Sequence, residues 1–138
     1  MTTTAISTDL KLADLMRPAP IVYDHHTCRQ ALRLMFEHPE SKCLVLCNPA
    51  DEPVGLLMSE KFFLKATGRY GMDTFYREPA MKLAHKDPLI VDIAAAPHTV
   101  LAMAMDRHPM QQNDCIIVTD CGKLAGAVYV SDLLAGQS

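Results

Sequence analysis

Short apolar runs, helix-spaced apolar positions and polar turns follow one another along this chain in an order that occurs twice. Ile21-Val22-Tyr23 and Leu89-Ile90-Val91 are brief aliphatic and β-branched runs that predict strands. A helical stretch follows each. In the first, Thr27 and Gln30 have the spacing at which a hydroxyl and an amide each satisfy a free backbone N–H. Leu32, Met35 and Phe36 then fall on one predicted face. In the second, Pro97 suits the first helical position, and Leu101, Ala104, Met105 and His108 share a face. Pro39 and Pro109 end these helices, and His38 and His108 before them are read as caps at helix ends, where the dipole favours a cation. Two apolar strands joined by a polar turn come next, at 43–46 and 54–58, then again at 115–118 and 124–129. Closing helices are predicted from Ser59, running through Phe62, Phe63 and Leu64 toward Gly68, and again from Ser131.

The two passes match residue by residue in four blocks. Pro20-Ile21-Val22-Tyr23-Asp24 aligns with Pro88-Leu89-Ile90-Val91-Asp92, and Met35 through Pro39 aligns with Met105 through Pro109. Cys43-Leu44-Val45-Leu46 aligns with Cys115-Ile116-Ile117-Val118, and Gly55-Leu56-Leu57 with Gly126-Ala127-Val128. The same order about seventy residues apart marks an internal duplication. The predicted organisation is a flexible segment at 1–10, a β-α-β-β-α repeat at 11–68, a connector at 69–79 and a second repeat at 80–138. A unit this short cannot bury both faces of a sheet alone. The pair is therefore expected to form one α/β (α+β) body with pseudo-two-fold symmetry.

Composition narrows the class. The chain has 138 residues, 49% hydrophobic and 21% charged, as in an ordinary globular protein. It has no Trp and only 6% aromatic residues, so Leu, Val, Ile, Ala and nine Met are expected to fill the core. A net charge of −3 gives no electrostatic reason to expect nucleic acid or an anionic membrane as partner. The first eight residues lack the basic flank and apolar core of a signal peptide. The mostly apolar stretch 89–105 is interrupted by Asp92, Pro97 and His98, short of the roughly 20 residues of a spanning helix. An odd count of five cysteines without an export signal suits reduced thiols in the cytoplasm.

Catalytic and metal chemistry find no support in the spacing. Cys43 and Cys47, Cys115 and Cys121, and His25-His26 do not form the tight ligand pairs of a zinc site. Cys43 and Cys115 read instead as small buried hydrophobes. No nucleophile–base pair repeats or clusters, and the six glycines form no phosphate-binding run. The expectation is a protein that is not an enzyme and holds no metal.

The duplicated strand-helix-strand-strand-helix order, with a glycine in each third strand, resembles the CBS (cystathionine-β-synthase) domain, two of which make a Bateman module. The resemblance covers about 11 to 136. It implies a regulatory module that binds AMP, ATP, S-adenosylmethionine or a related adenine ligand in clefts between the repeats, requires no cofactor and forms a homodimer. The family's ligand signature is Gly, two apolar residues, Thr or Ser, two variable residues, then Asp. The hydroxyl faces phosphate at a helix start, and the carboxylate accepts hydrogen bonds from the ribose hydroxyls.

Both copies depart from that signature. The second reads Gly126-Ala127-Val128-Tyr129-Val130-Ser131-Asp132, with Asp132 at the ribose position, Tyr129 in place of the hydroxyl residue and Ser131 two residues late. The first reads Gly55-Leu56-Leu57-Met58-Ser59-Glu60-Lys61, with Lys61 in place of Asp and Ser59 one residue late. Lysine cannot accept a hydrogen bond from ribose. By the resemblance, first-strand residues border the cleft. The preferred second site is thus Asp132, Ser131, Tyr129, Gly126, Asp87, Pro88, Leu89 and Ile90. The first site would comprise Lys61, Ser59, Arg17, Pro20 and Ile21. Tyr129 either stacks on an adenine or plugs the cleft, and Asp132 either holds ribose or only interacts with the helix dipole. Arg17 and Lys86 either meet phosphates or are solvated charges. The alternative to a ligand sensor is a ligand-free dimerisation or docking module, such as the input domain of a larger signalling protein with an unnamed target.

Overall fold

A computed structural model describes residues 10–66 and 76–136. Most of the segment expected at 1–10, most of the connector expected at 69–79, and Gly68 lie outside the described residues. In chain order the elements are α1 (Leu12–Leu15), β1 (Ile21–Tyr23), α2 (Cys28–Glu37), β2 (Cys43–Cys47), β3 (Pro53–Met58) and α3 (Ser59–Ala66). They continue with α4 (Ala80–Leu83), β4 (Ile90–Asp92), α5 (Pro97–Met105), a 3-10 turn (Pro109–Gln111), β5 (Ile116–Asp120), β6 (Lys123–Val128) and α6 (Val130–Gly136).

Strand pairing repeats as the duplication predicts. One sheet has the order β1-β2-β3 and the other β4-β5-β6. In each, the first pair is parallel and the second antiparallel. A parallel pair needs a crossover, and α2 and α5 supply it. The mixed α/β class with two repeats is therefore the observed one. Register refines the alignment by one residue. Ile21 pairs with Val45 and Ile90 with Ile117, so Ile21 corresponds to Ile90 and Pro20 to Leu89, not to Pro88. The carbonyls of Pro20 and Leu89 accept equivalent bonds from Val45 and Ile117, both at 3.0 Å. The second repeat simply carries one more residue between its lead-in and its strand.

The chain divides into two compact units, one spanning 18–88 and the other joining the residues up to Arg17 with those from Leu89 onward. We call them the Lys61 unit and the Asp132 unit. Repeats counted along the chain and units in space are thus different divisions: α1, which precedes β1, packs into the core around β5, while α4, which precedes β4, packs into the core around β2.

Each core grows from the same helical stripe. In α2 the buried positions are Cys28, Ala31, Leu32 and Met35, spaced three and four apart. In α5 the inward positions are Val100, Leu101 and Ala104, with Val100 and Ala104 fully buried. Phe36 and Met105 come one position past this stripe in their helices. They are 61% and 38% exposed, not on the buried face the sequence suggested, and His108 is exposed as well. Methionine fills the cores only in part, with Met35 in one and Met81 and Met16 packed partly buried against them. Among the described methionines only Met35 is buried, while Met103, Met105 and Met110 are exposed. Aliphatic side chains and one aromatic ring do most of that work: Leu44, Leu46, Leu57 and Phe62 in the Lys61 unit, and Leu12, Ile116, Val118 and Leu133 in the Asp132 unit.

The predicted caps form. Thr27 Oγ1 accepts from the Gln30 N–H at 3.4 Å, and Gln30 Oε1 accepts from the Thr27 N–H at 2.8 Å. Pro97 opens α5. His108 caps a different end from the one expected: its Nδ1 accepts from the Met110 N–H at 3.1 Å, at the start of the 3-10 turn. Among the described residues no helix is long and apolar enough to cross a membrane.

Candidate functional site

The Asp132 unit places its polar chemistry where β6 ends, at the opposite end of that strand from its turn. Arg17 bridges to Ala127 through both backbone bonds, N–H to carbonyl at 2.8 Å and the reverse at 2.9 Å. The lead-in segment thereby extends the sheet edge beside β6. Only glycine at 126 permits this approach. A Cβ there would lie 2.7 Å from the Arg17 carbonyl oxygen and 2.5 Å from Met16 Cγ. Gly126 is needed for close backbone packing.

After β6, Tyr129 precedes α6, and its carbonyl accepts from the N–H groups of Asp132 and Leu133 at 3.0 and 3.2 Å. The start of α6 turns Asp132 toward the lead-in. Arg17 Nε donates to Asp132 Oδ2 at 2.8 Å and Arg17 Nη2 to Oδ1 at 3.1 Å. The same guanidinium lies 4.7 Å from the centroid of the Tyr129 ring. The side chains of Arg17 and Asp132 are 52% and 25% exposed, while Tyr129 is buried. The hydrogen bonds to Asp132, and then its charge, raise the Arg17 pKa above its usual value. Two-pronged contacts of this kind are among the stronger charge-assisted bonds.

Six residues of the expected second site, Gly126, Tyr129, Ser131, Asp132, Leu89 and Ile90, lie in this unit. Ser131 and Ile90 are exposed and Leu89 is half-buried, its carbonyl committed to β5. Asp87 and Pro88 fall in the Lys61 unit with Lys61, Ser59, Pro20 and Ile21. Asp87 is exposed. Arg17, grouped with Lys61 on sequence, is held against Asp132 instead.

The Lys61 unit carries an equivalent frame with other chemistry. His85 bridges Leu56 as Arg17 bridges Ala127, with bonds of 2.8 and 3.0 Å. Met58 stands in the place of Tyr129, and Lys61 in that of Asp132. Ser59 is turned inward: its Oγ donates to the Ser41 carbonyl at 3.4 Å, and its N–H to the Lys42 carbonyl at 2.9 Å.

This unit also holds a polar cluster at the turn end of its sheet that sequence reasoning missed. The Tyr23 hydroxyl donates to Asp51 Oδ1 at 2.7 Å, and the Tyr23 N–H donates to His26 Nδ1 at 3.1 Å. The His25 and His26 rings meet edge to face at 4.6 Å between centroids. The hydrogen bond to Asp51 raises the Tyr23 pKa, burial adding to it. Aromatic and acidic residues at matched strand and turn positions were the available signal. Among the described residues no group of three His, Cys, Asp or Glu side chains converges to hold a metal. No disulfide joins the five cysteines, four of which are buried, and burial pushes the thiols of Cys28 and Cys47 up to about 11.

No protein-family model matches the chain, and no curated protein matches it in sequence. Solved structures do match in fold. A CBS domain-containing protein of unknown function from Bacillus anthracis superposes with a TM-score of 0.75 at 14% identity, covering 96% of this chain and 95% of that one. The CBS-pair protein CBSX2 from Arabidopsis thaliana gives a TM-score of 0.71 at 18% identity, covering 92% and 93%. The protein MJ1004 from Mathanocaldococcus jannaschii gives 0.73 at 17% identity, covering 93% of this chain and 59% of that one. The chain therefore spans less than two-thirds of MJ1004 but nearly all of the other two. Likeness at this identity shows the fold, which is that of a tandem CBS pair.

Proposed function

We propose that the chain is a non-catalytic regulatory module whose Asp132 unit binds an adenine nucleotide or a related adenine ligand. The observation that carries this reading is the gathering of Asp132, Arg17 and Tyr129 at one partly open place. Asp132 offers a carboxylate suited to ribose hydroxyls, and Arg17 a guanidinium suited to phosphate. Lys61 offers no such acceptor, so the Lys61 unit is not the nucleoside site. Regulation follows if the ligand has unequal affinity for two arrangements of a homodimer, since only differential binding shifts such an equilibrium. A preference of about 1–3 kcal/mol suffices. Five cysteines joined by no disulfide suit a reducing compartment, the cytoplasm.

A second reading rests on the same contact. Arg17 already occupies both oxygens of Asp132, and Tyr129 is buried, which suits a ligand-free module that docks or dimerises. Thermal unfolding with AMP, ADP, ATP and S-adenosylmethionine separates the two. At about 100 times its dissociation constant a ligand adds about 2.7 kcal/mol of stability. For a domain of this size that raises Tm by roughly 8–10 °C. Asp132→Ala should abolish the shift and Lys61→Ala should preserve it. No shift with any of the four moves the assignment to docking, and equal losses in both variants overturn the choice of site.

A further inference from the structure

Resting on the adenine reading above, we infer that Arg17 is a built-in competitor at Asp132, and that it makes the site select phosphorylated ligands over neutral nucleosides. The guanidinium engages both carboxylate oxygens, at 2.8 and 3.1 Å, the same two acceptors that a ribose diol would need. It also covers the Tyr129 ring at 4.7 Å. A nucleoside that takes Asp132 must therefore dislodge Arg17 first.

The geometry lets the head move while its root stays. The Arg17 backbone is fixed by two bonds to Ala127, and its carbonyl packs close against Gly126, where no Cβ intervenes. The side chain is 52% exposed, so its head can swing without opening the core around Leu12 and Leu133. What happens next depends on the ligand. A neutral nucleoside displaces the guanidinium into water and returns nothing to it. A phosphate gives it a new two-pronged partner in exchange for the carboxylate. The swap is close to balanced for AMP and one-sided for adenosine. Arg17 thus does two opposed things: it blocks the empty site, and it rewards a ligand that brings an anion.

Calorimetric titration of AMP and adenosine against the wild-type chain, Arg17→Ala and Arg17→Lys tests this. The wild type should prefer AMP by about tenfold, the range expected when a charged two-pronged partner is regained. In Arg17→Ala the ratio should fall to about threefold or less, and adenosine should bind up to about fivefold tighter than to wild type, because an exposed ion pair no longer competes. Arg17→Lys keeps the charge without the fork, so adenosine binding should improve while part of the AMP preference survives. It also keeps the test valid if Arg17→Ala folds poorly. Binding with an unchanged ratio in both variants, or weaker adenosine binding on loss of Arg17, overturns the inference alone. No binding of either ligand to any of the three proteins overturns the adenine reading and this inference with it.

Discussion

The Asp132 unit and the Lys61 unit share strand order, strand direction and a lead-in bridged to the third strand, yet they concentrate polar chemistry at opposite ends of that frame. In the first, Arg17, Tyr129 and Asp132 meet where β6 gives way to α6. In the second, the equivalent places hold His85, Met58 and Lys61, and the polar cluster lies at the other end, where Tyr23 reaches Asp51 in the β2–β3 turn. The turns differ accordingly. Residues 48–52 form a longer loop tied by Asn48, whose Oδ1 accepts from the Ala50 and Glu52 N–H groups. The β5–β6 connection is tight, with Cys121 at φ 55° and Gly122 at φ 80°, the pattern of a two-residue hairpin turn. Backbone pairing is common to both units, so chemistry diverged by side-chain replacement and loop length alone.

Three substitution pairs would break or sharpen that comparison. The largest contrast is expected at the lead-in helices. Leu12 of α1 is fully buried in the Asp132 core, while the fully buried residue of α4 is the small Ala80, with Met81 and Leu83 only partly buried against its core. Leu12→Ala should cost about 2–5 kcal/mol and Ala80→Gly about 1 kcal/mol in denaturant unfolding. Equal costs would mean the two lead-ins anchor alike. Next come the matched glycines. A Cβ at Gly126 meets backbone, whereas one at Gly55 meets Ala84 Cβ at 3.2 Å and the flexible end of Met81 at 3.3 Å. Gly126→Ala should destabilise by about 1–3 kcal/mol through overpacking, and Gly55→Ala by less than about 1 kcal/mol. Comparable losses would show that close backbone approach is not what distinguishes them. The smallest effect is at the crossover helices, where Thr27 caps α2 and Ala96 precedes α5 without a side-chain cap. Thr27→Ala should cost about 1 kcal/mol and Ala96→Ser should add a few tenths. A stabilising Thr27→Ala would contradict the capping geometry.

Much of this fold is legible in the chain because it depends on neighbours close in sequence. Strand runs, the Thr27–Gln30 box, Pro97 at a helix start and the turn at Cys121-Gly122 all follow from local backbone chemistry. The site is legible only in part. Asp132, Tyr129 and Arg17 each stand out by residue type, but nothing in their spacing joins Arg17 to Asp132, because a separation of 115 residues has no periodicity to read. Phe36 and Met105 went to the surface for a related reason. One further step along an apolar helix carries a side chain off the buried stripe, and only the opposing sheet defines where that stripe ends.

The amino-acid order alone determined the duplication, the element types and the two glycines that recur in the third strands, since these are encoded in local pattern and repetition. Tertiary structure alone decided which sheet edge each lead-in joins, and therefore that Arg17 faces Asp132. Edge pairing uses backbone N–H and carbonyl groups that every residue carries, so the side-chain sequence does not name the partner. Close approach at Gly126 and burial of Leu12 make the choice, and both exist only once the chain has folded.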